Sequence, residues 1–163
     1  MKNSKEIDIA QKLIRCKSIA PKDDGALRIV EKECKAIGFK CTKLRFSEKG
    51  FDTINNLYAE IGNGKPHFSF AGHVDIVPAE KKEWAVDPFA GKIKNNFLIG
   101  RGAVDMKSAI ACFISATKDY LKKNETFEGK ISMLITGDEE TYAVNGTKKI
   151  LTWLKKKKIK IDN

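Results

Sequence analysis

Four segments of the chain have apolar residues at every third or fourth position, the spacing that predicts amphipathic helices. They cover residues 5–17, 25–37, 106–122 and 145–157. Gly38, directly after the second segment, is a typical C-terminal stop for a helix. The pattern therefore predicts four helices.

Four other segments have the alternating or continuously apolar pattern that predicts β-strands. They cover residues 40–46, 56–61, 67–71 and 130–136, and a β-hairpin is predicted within residues 89–98. The order of these elements favours an α/β fold in which a mixed sheet is flanked by helices. Ligands in such folds bind beyond the carboxyl ends of strands, so the residues that follow each strand are the first candidates for chemistry.

The composition is that of one globular domain. The chain has 163 residues, of which 42% are hydrophobic and 32% are charged, and this balance argues against general disorder. No apolar run approaches the about 20 residues that a membrane helix needs, and the first residues lack the apolar core of a signal peptide. We therefore expect a cytoplasmic protein with no membrane partner. The four cysteines include no C-x-x-C pair, which argues against a thiolate zinc site.

The net charge of +10 comes from 31 Lys and Arg residues against 21 Asp and Glu residues. Proteins that read specific nucleic-acid sequences favour Arg, because its planar fork pairs with base edges. Only 4 of the 31 basic residues are Arg, so we expect no nucleic-acid partner. A positive field is suited to an acidic small-molecule substrate.

The first polar cluster follows the strand predicted at residues 67–71. His73 and Asp75 are two positions apart, so their side chains point to the same side of an extended chain. A carboxylate beside a metal-binding histidine fixes the tautomer of the imidazole and raises its basicity. The alternative is a histidine at a strand end that is capped by a turn aspartate. His67, six residues earlier, is predicted to be a surface or structural residue.

Two acidic clusters follow later in the chain. Asp105 stands in the glycine-containing turn 100–107 before the third predicted helix. An aspartate there can be either a metal ligand or a routine N-cap. Asp138, Glu139 and Glu140 follow the last predicted strand, and a solvated acidic loop is the alternative for them.

Together, the three clusters provide one histidine and several carboxylates at the ends of separate strands. These are the ligands that a pair of divalent metal ions prefers, since zinc binds imidazole nitrogen and carboxylate oxygen. One carboxylate can bridge two ions about 3.5–4 Å apart. An uncoordinated glutamate beside them can take a proton from a metal-held water.

At these positions the sequence resembles the aminoacylase and glutamate-carboxypeptidase clan of dinuclear zinc hydrolases, and within that clan the succinyl-diaminopimelate desuccinylases. The motifs shared with the clan are His73-Val74-Asp75-Ile76-Val77-Pro78, Gly100-Arg101-Gly102-Ala103-Val104-Asp105-Met106-Lys107 and Gly137-Asp138-Glu139-Glu140. The motifs that favour the desuccinylases are Trp84 with Asp87-Pro88-Phe89, and Asn145-Gly146-Thr147.

The resemblance implies a role for each of five residues. His73 would bind one zinc ion, Asp105 would bridge two, and Glu140 would bind the second, with Co²⁺ able to replace Zn²⁺. Glu139 would be the general base, and Asp75 would orient His73. The implied reaction is the hydrolysis of N-succinyl-LL-2,6-diaminopimelate to succinate and LL-2,6-diaminopimelate, in lysine and diaminopimelate biosynthesis.

The resemblance also implies that residues 1–163 are the N-terminal portion of an incomplete zinc-hydrolase catalytic domain. Members of the family continue into a lid and dimerisation domain, and they add one Glu and one His as further zinc ligands. Without those parts we expect weak metal binding, and we do not expect the homodimer of the full-length family from this chain alone. We also expect self-association, because strand 130–136 would become an exposed edge and Ile150, Leu151 and Leu154 would lose part of their packing surface.

Three alternatives stay open at this stage. The chain can be another deacylase or peptidase of the clan, such as an acetylornithine deacetylase, or a non-catalytic fragment that binds metal or a partner chain. The third alternative is a basic nucleic-acid-binding protein, which predicts steeply salt-dependent DNA binding. That alternative leaves the histidine and acidic clusters unexplained.

Overall fold

The computed structural model describes residues 4–124 and 126–163, so Met1, Lys2 and Asn3 of the predicted domain lie outside the described residues. The helices are α1 (Lys5–Arg15), α2 (Ala26–Lys35), α3 (Ser108–Lys123) and α4 (Thr147–Lys156). The strands are β1 (Lys40–Phe46), β2 (Ile54–Asn63), β3 (His67–His73), β4 (Lys92–Lys94), β5 (Phe97–Ile99) and β6 (Gly129–Thr136). All the predicted helices and strands are present, and β4 and β5 form the predicted hairpin.

The start of α3 differs from the sequence prediction. The apolar pattern predicts a helix from Met106, but residues Ala103–Lys107 form a wide helical turn in which Asp105 and Met106 have non-helical backbone angles. Gly102 precedes this turn with a φ of +77°, and a Cβ atom there would lie 2.7 Å from Cγ2 of Ile76. Only glycine meets both conditions without strain. The turn leaves the Asp105 side chain outside the helix.

The main sheet has four strands in the order β1-β2-β6-β3. β6 pairs antiparallel with β2 and parallel with β3, which confirms the predicted mixed sheet. The expectation that β6 would be an exposed edge is therefore wrong, because β3 and not a later strand occupies its second side. The edges of the sheet are β1 and β3. At the outer side of β3, the Ser69 amide donates to the carbonyl oxygen of Asn163 at 2.8 Å, and the Asn163 amide donates to that of His67 at 3.2 Å.

The sheet separates two apolar cores. Helices α1, α2 and α3 contribute to the first core, whose buried members include Leu13, Val30, Ile110 and Met133. Helix α4 packs on the other core, whose buried members are Leu44, Tyr58, Leu134, Ile150 and Leu154. Successive β6 side chains therefore face opposite layers, as the two-residue period of a strand requires.

The expected packing defect in α4 is absent for two of the three residues named. Ile150 and Leu154 are buried, and only Leu151 is half exposed among those three. The physical reason is that β1, β2 and β6 already provide an apolar surface for this helix. Within the described ranges, no helix is both long and apolar enough to cross a membrane.

Candidate metal centre

The polar clusters meet because two parallel strands end at the same edge of the sheet. His73 is the last residue of β3, and it is paired in register with Thr136, the last residue of β6. Asp75 lies just beyond β3, and the Glu139–Glu140 pair lies just beyond β6. The turn before α3 adds Asp105 to the same edge. The chain thus joins side chains that are more than sixty positions apart.

Three of the predicted metal ligands form one compact group. His73, Asp105 and Glu140 each offer one ligand atom, and these atoms all lie within 4.8 Å of one another. Nε2 of His73 is 2.9 Å from Oδ1 of Asp105 and 3.7 Å from Oε2 of Glu139. His73 is buried, whereas the Asp105 side chain is 72% exposed. One imidazole and several carboxylates, open to solvent on one side, are a donor set that suits a divalent cation.

Asp75 connects the histidine to the glutamate pair. Nδ1 of His73 is hydrogen-bonded to the main-chain carbonyl oxygen of Asp75 at 3.1 Å. The Asp75 side chain is buried, and its Oδ1 lies 3.5 Å from the same nitrogen as a neighbouring charge without a hydrogen-bond partner in the described residues. Oδ2 accepts hydrogen bonds from the backbone amides of Glu139 at 2.9 Å and Glu140 at 2.8 Å. Sequence reasoning predicted the first contact and missed the second. Asp75 therefore contacts the imidazole through its main-chain carbonyl and its charge, and it fixes the turn after β6 through Oδ2.

The carboxylates at this edge of the sheet shift the pKa values of the neighbouring side chains. Burial opposes protonation of His73, but Asp75 and Asp105 outweigh it and raise the pKa of His73 to about 9. Burial also acts against the Asp75 carboxylate, yet His73 and the amides of Glu139 and Glu140 hold its pKa below the usual value. The pKa of Glu140 is raised by burial and by the neighbouring carboxylates, with His73 acting in the opposite direction. A cation would relieve this repulsion between carboxylates.

Two alternatives do not fit the structure, the N-cap for Asp105 and the solvated loop for Asp138, whereas Glu139 is exposed as a solvated loop requires. Asp105 is not an N-cap, since Lys107 is at that position of α3 and no side chain caps the helix. Asp138 does not lie in a solvated loop, because it is buried and its carboxylate accepts hydrogen bonds from the Ala143 amide at 3.2 Å and the Asn145 amide at 2.8 Å. Asp138 therefore closes the turn that contains the glutamate pair.

Lys107 is a supporting residue that sequence reasoning missed. It is fully buried, and Nζ donates hydrogen bonds to the carbonyl oxygens of Leu13 at 2.9 Å and Cys16 at 2.8 Å. Burial lowers the pKa of Lys107 to about 8. Ser18, two residues after Cys16, connects the same segment to the residues after β3, because its Oγ donates to the carbonyl oxygen of Val74 at 2.6 Å. The end of α1 thus links the Asp105 turn to the end of β3. The position of Lys107 on the apolar side of a predicted helix start was the sequence signal that this lysine is buried.

The other histidine of the chain lies at the opposite end of β3. His67 is buried, with Nδ1 2.7 Å from the carbonyl oxygen of Lys160 and Nε2 2.8 Å from Oγ of Ser132. Of the two interpretations offered for His67, surface or structural, the structure supports the structural one. The residue connects the last part of the chain to β3 and β6.

The two histidines should therefore respond differently to removal. His67→Ala should lower the free energy of unfolding by about 2–3 kcal/mol, because it leaves buried polar partners unpaired, and it should leave zinc binding unchanged. His73→Ala should abolish the zinc binding that the chain has. Urea unfolding and zinc calorimetry on both variants would measure this, and equal loss of zinc binding in the two would contradict the assignment.

The comparison with protein-family models identifies the family of the chain. The model of peptidase family M20/M25/M40 matches residues 69–163, more than half of the chain, and this match includes His73, Asp105 and the glutamate pair. The chain belongs to this family. Its membership is consistent with the fold and with the group of His73, Asp105 and Glu140, which could hold a metal ion.

Two relatives of this chain are named succinyl-diaminopimelate desuccinylase. The chain is 51% identical to the protein of Pelagibacter ubique over 158 residues, which cover 96% of this chain and 41% of the relative. It is 50% identical to the protein of Parvibaculum lavamentivorans, with 96% and 40% covered. The chain therefore spans about two fifths of the length of the curated relatives it matches.

Solved structures confirm the M20-type fold. A metallo-carboxypeptidase of the M20 family from Sulfolobus solfataricus superposes with a TM-score of 0.76 at 26% identity, covering 98% of this chain and 36% of that one. Human carnosine dipeptidase 1 superposes with a TM-score of 0.80 at 19% identity, covering 92% and 35%. The second likeness concerns the fold alone.

Proposed function

We propose that this chain forms the first part of the catalytic domain of a zinc-dependent succinyl-diaminopimelate desuccinylase. The observation on which the proposal rests is the convergence of His73, Asp105 and Glu140, with ligand atoms within 4.8 Å of one another. The identity of 51% with a protein of that name supports the choice of substrate. The proposal includes a cytoplasmic location, a role in lysine biosynthesis and a homodimer for the full-length enzyme.

The metal ligands in this proposal are His73, Asp105 and Glu140. Asp105 is suited to the bridging role, because its exposed carboxylate has two oxygens and one of them faces His73 at 2.9 Å. Two zinc ions, for which cobalt can substitute, would supply a polarised amide carbonyl and a water of lowered pKa. Asp75 would hold His73 and the glutamate turn in position.

The proposal assigns the general base to Glu139. Its side chain is 55% exposed, and its carboxylate lies 3.7 Å from Nε2 of His73. The backbone amide of Glu139 is fixed by Asp75, so the side chain starts from a fixed position. Glu139 would accept a proton from the attacking water and later donate it to the leaving amine. A bond forms between water oxygen and the acyl carbon, the amide C–N bond breaks, and succinate and a free amine result.

The test joins this chain to the part of the Pelagibacter ubique relative that lies beyond its match. We expect the joined protein to release succinate from N-succinyl-LL-2,6-diaminopimelate when zinc is present. Glu139→Gln should lower turnover by about 10²–10⁴-fold. Glu128→Gln should not, because Glu128 is exposed and lies just before β6, at the opposite end of that strand. A protein that binds zinc and releases no succinate would contradict the proposal, as would faster deacetylation of N-acetylornithine.

A further inference from the structure

Arg101 differs from the other arginines of the chain. Arg15, Arg28 and Arg45 are exposed, whereas Arg101 is half-buried. Its Nε atom is shielded from solvent and has no hydrogen-bond partner in the described residues. The guanidinium also forms no ion pair with a carboxylate in that part of the chain. Because a guanidinium stays protonated, an unpaired and partly buried one is costly.

An aromatic ring holds this guanidinium in place. The Cζ atom of Arg101 lies 5.4 Å from the ring centroid of Trp84, in the segment between β3 and β4. The Arg101 amide donates to the carbonyl oxygen of Pro88 at 2.9 Å, which ties the same segment to the backbone of the arginine. This cation–π contact holds the guanidinium without using its N–H donors. The N–H donors of the guanidinium are therefore available to an anionic ligand.

Arg101 is close in sequence to Asp105, a residue of the candidate metal centre. It begins the turn that contains Asp105 four residues later, so the two Cα atoms are at most about 14 Å apart. The turn is closed by a hydrogen bond from the Lys107 amide to the carbonyl oxygen of Gly102 at 2.9 Å. An N-succinyl amino acid has a carboxylate two methylene groups from its scissile amide carbonyl. That carboxylate is a chemical match for an unpaired guanidinium.

We infer that Arg101, stacked on Trp84, is an anchor for a carboxylate of a small dicarboxylate or N-acyl amino acid. The ligand class rests on the proposed function, and the site itself rests on the unpaired fork. Two parallel N–H···O bonds between a guanidinium and a carboxylate give both strength and orientation. A lysine would keep the charge and lose the fork.

The test follows the four arginine Nε–Hε resonances of the metal-free chain by ¹⁵N NMR during titration with succinate. We expect a saturable shift of the Arg101 resonance, with Arg15, Arg28 and Arg45 as internal controls. Arg101→Lys should weaken succinate binding at least tenfold, and Trp84→Leu should weaken it about threefold. Arg15→Lys, the matched control, should bind like the original chain.

Three outcomes would overturn the inference. They are equal shifts of all four arginines, unchanged succinate binding by Arg101→Lys, and an Arg101 shift that follows protein concentration without succinate. The last would assign the fork to an acidic side chain of a second copy. Asp105→Ala separates this inference from the proposed function, because that variant should lose zinc and still bind succinate. Loss of zinc binding alone therefore leaves the carboxylate site standing.

Discussion

Replacing Asp75 with alanine should weaken zinc binding by about 100-fold or more. Residues that orient a metal ligand typically change metal affinity by about 10–100-fold, and Asp75 has two such roles. One oxygen lies 3.5 Å from His73, and the other accepts the amides of Glu139 and Glu140. The variant keeps the main-chain carbonyl that contacts Nδ1 of His73. It loses the charge beside the imidazole and the two hydrogen bonds that hold the glutamate turn. Zinc calorimetry on the variant and the original chain would measure the loss.

Two further variants separate the roles of Asp75. Asp75→Asn keeps an oxygen that can accept the two amides and removes the charge beside His73, so its affinity should lie between those of the original chain and Asp75→Ala. Asp87→Ala removes an exposed aspartate paired with Lys81, and zinc binding should not change. A folded Asp75→Ala chain that binds zinc as tightly as the original would show that neither contact matters for the metal.

Zinc affinity should rise about tenfold for each pH unit between about pH 6 and pH 8. Zinc binds neutral imidazole, and the neighbouring carboxylates hold His73 protonated in this range by raising its pKa to about 9. Each zinc-binding event at pH 7 should therefore release about one proton from His73. Calorimetry in two buffers of different ionisation enthalpy would give the number of protons released.

The same pKa shift has a defined effect on the stability of the metal-free chain. Because the folded pKa of His73 exceeds the unfolded value of about 6.5, its contribution to the free energy of unfolding is complete below that value and is lost as pH rises through about 9.

Asp75→Asn should shift the rise in zinc affinity to lower pH, because the carboxylate beside His73 is gone. A zinc affinity of the original chain that stays constant between about pH 6 and pH 8 would contradict a protonated His73.

The sequence alone was sufficient to predict the elements and the residues that meet at one edge of the sheet. Helical and strand periods are local properties, so the segments 5–17 and 130–136 could be identified from neighbouring residues only. The clusters after β3 and β6 could be predicted to lie at one edge, because the carboxyl ends of strands in an α/β sheet collect ligand-binding residues. The choice of His73, Asp105 and Glu140 as the metal ligands came from the family resemblance. Their proposed roles stay predictions until the zinc and activity measurements are made.

Only the tertiary structure decided which elements are neighbours. The apolar pattern of β6 shows that both of its faces are buried, but it does not show that β3 pairs along one side, and the predicted exposed edge was wrong for this reason. The second role of Asp75, the hydrogen bonds of Lys107 and the stacking of Arg101 all join residues distant in sequence. Periodicity reports which face of an element is apolar, whereas hydrogen-bond partners depend on where the folded chain places distant segments.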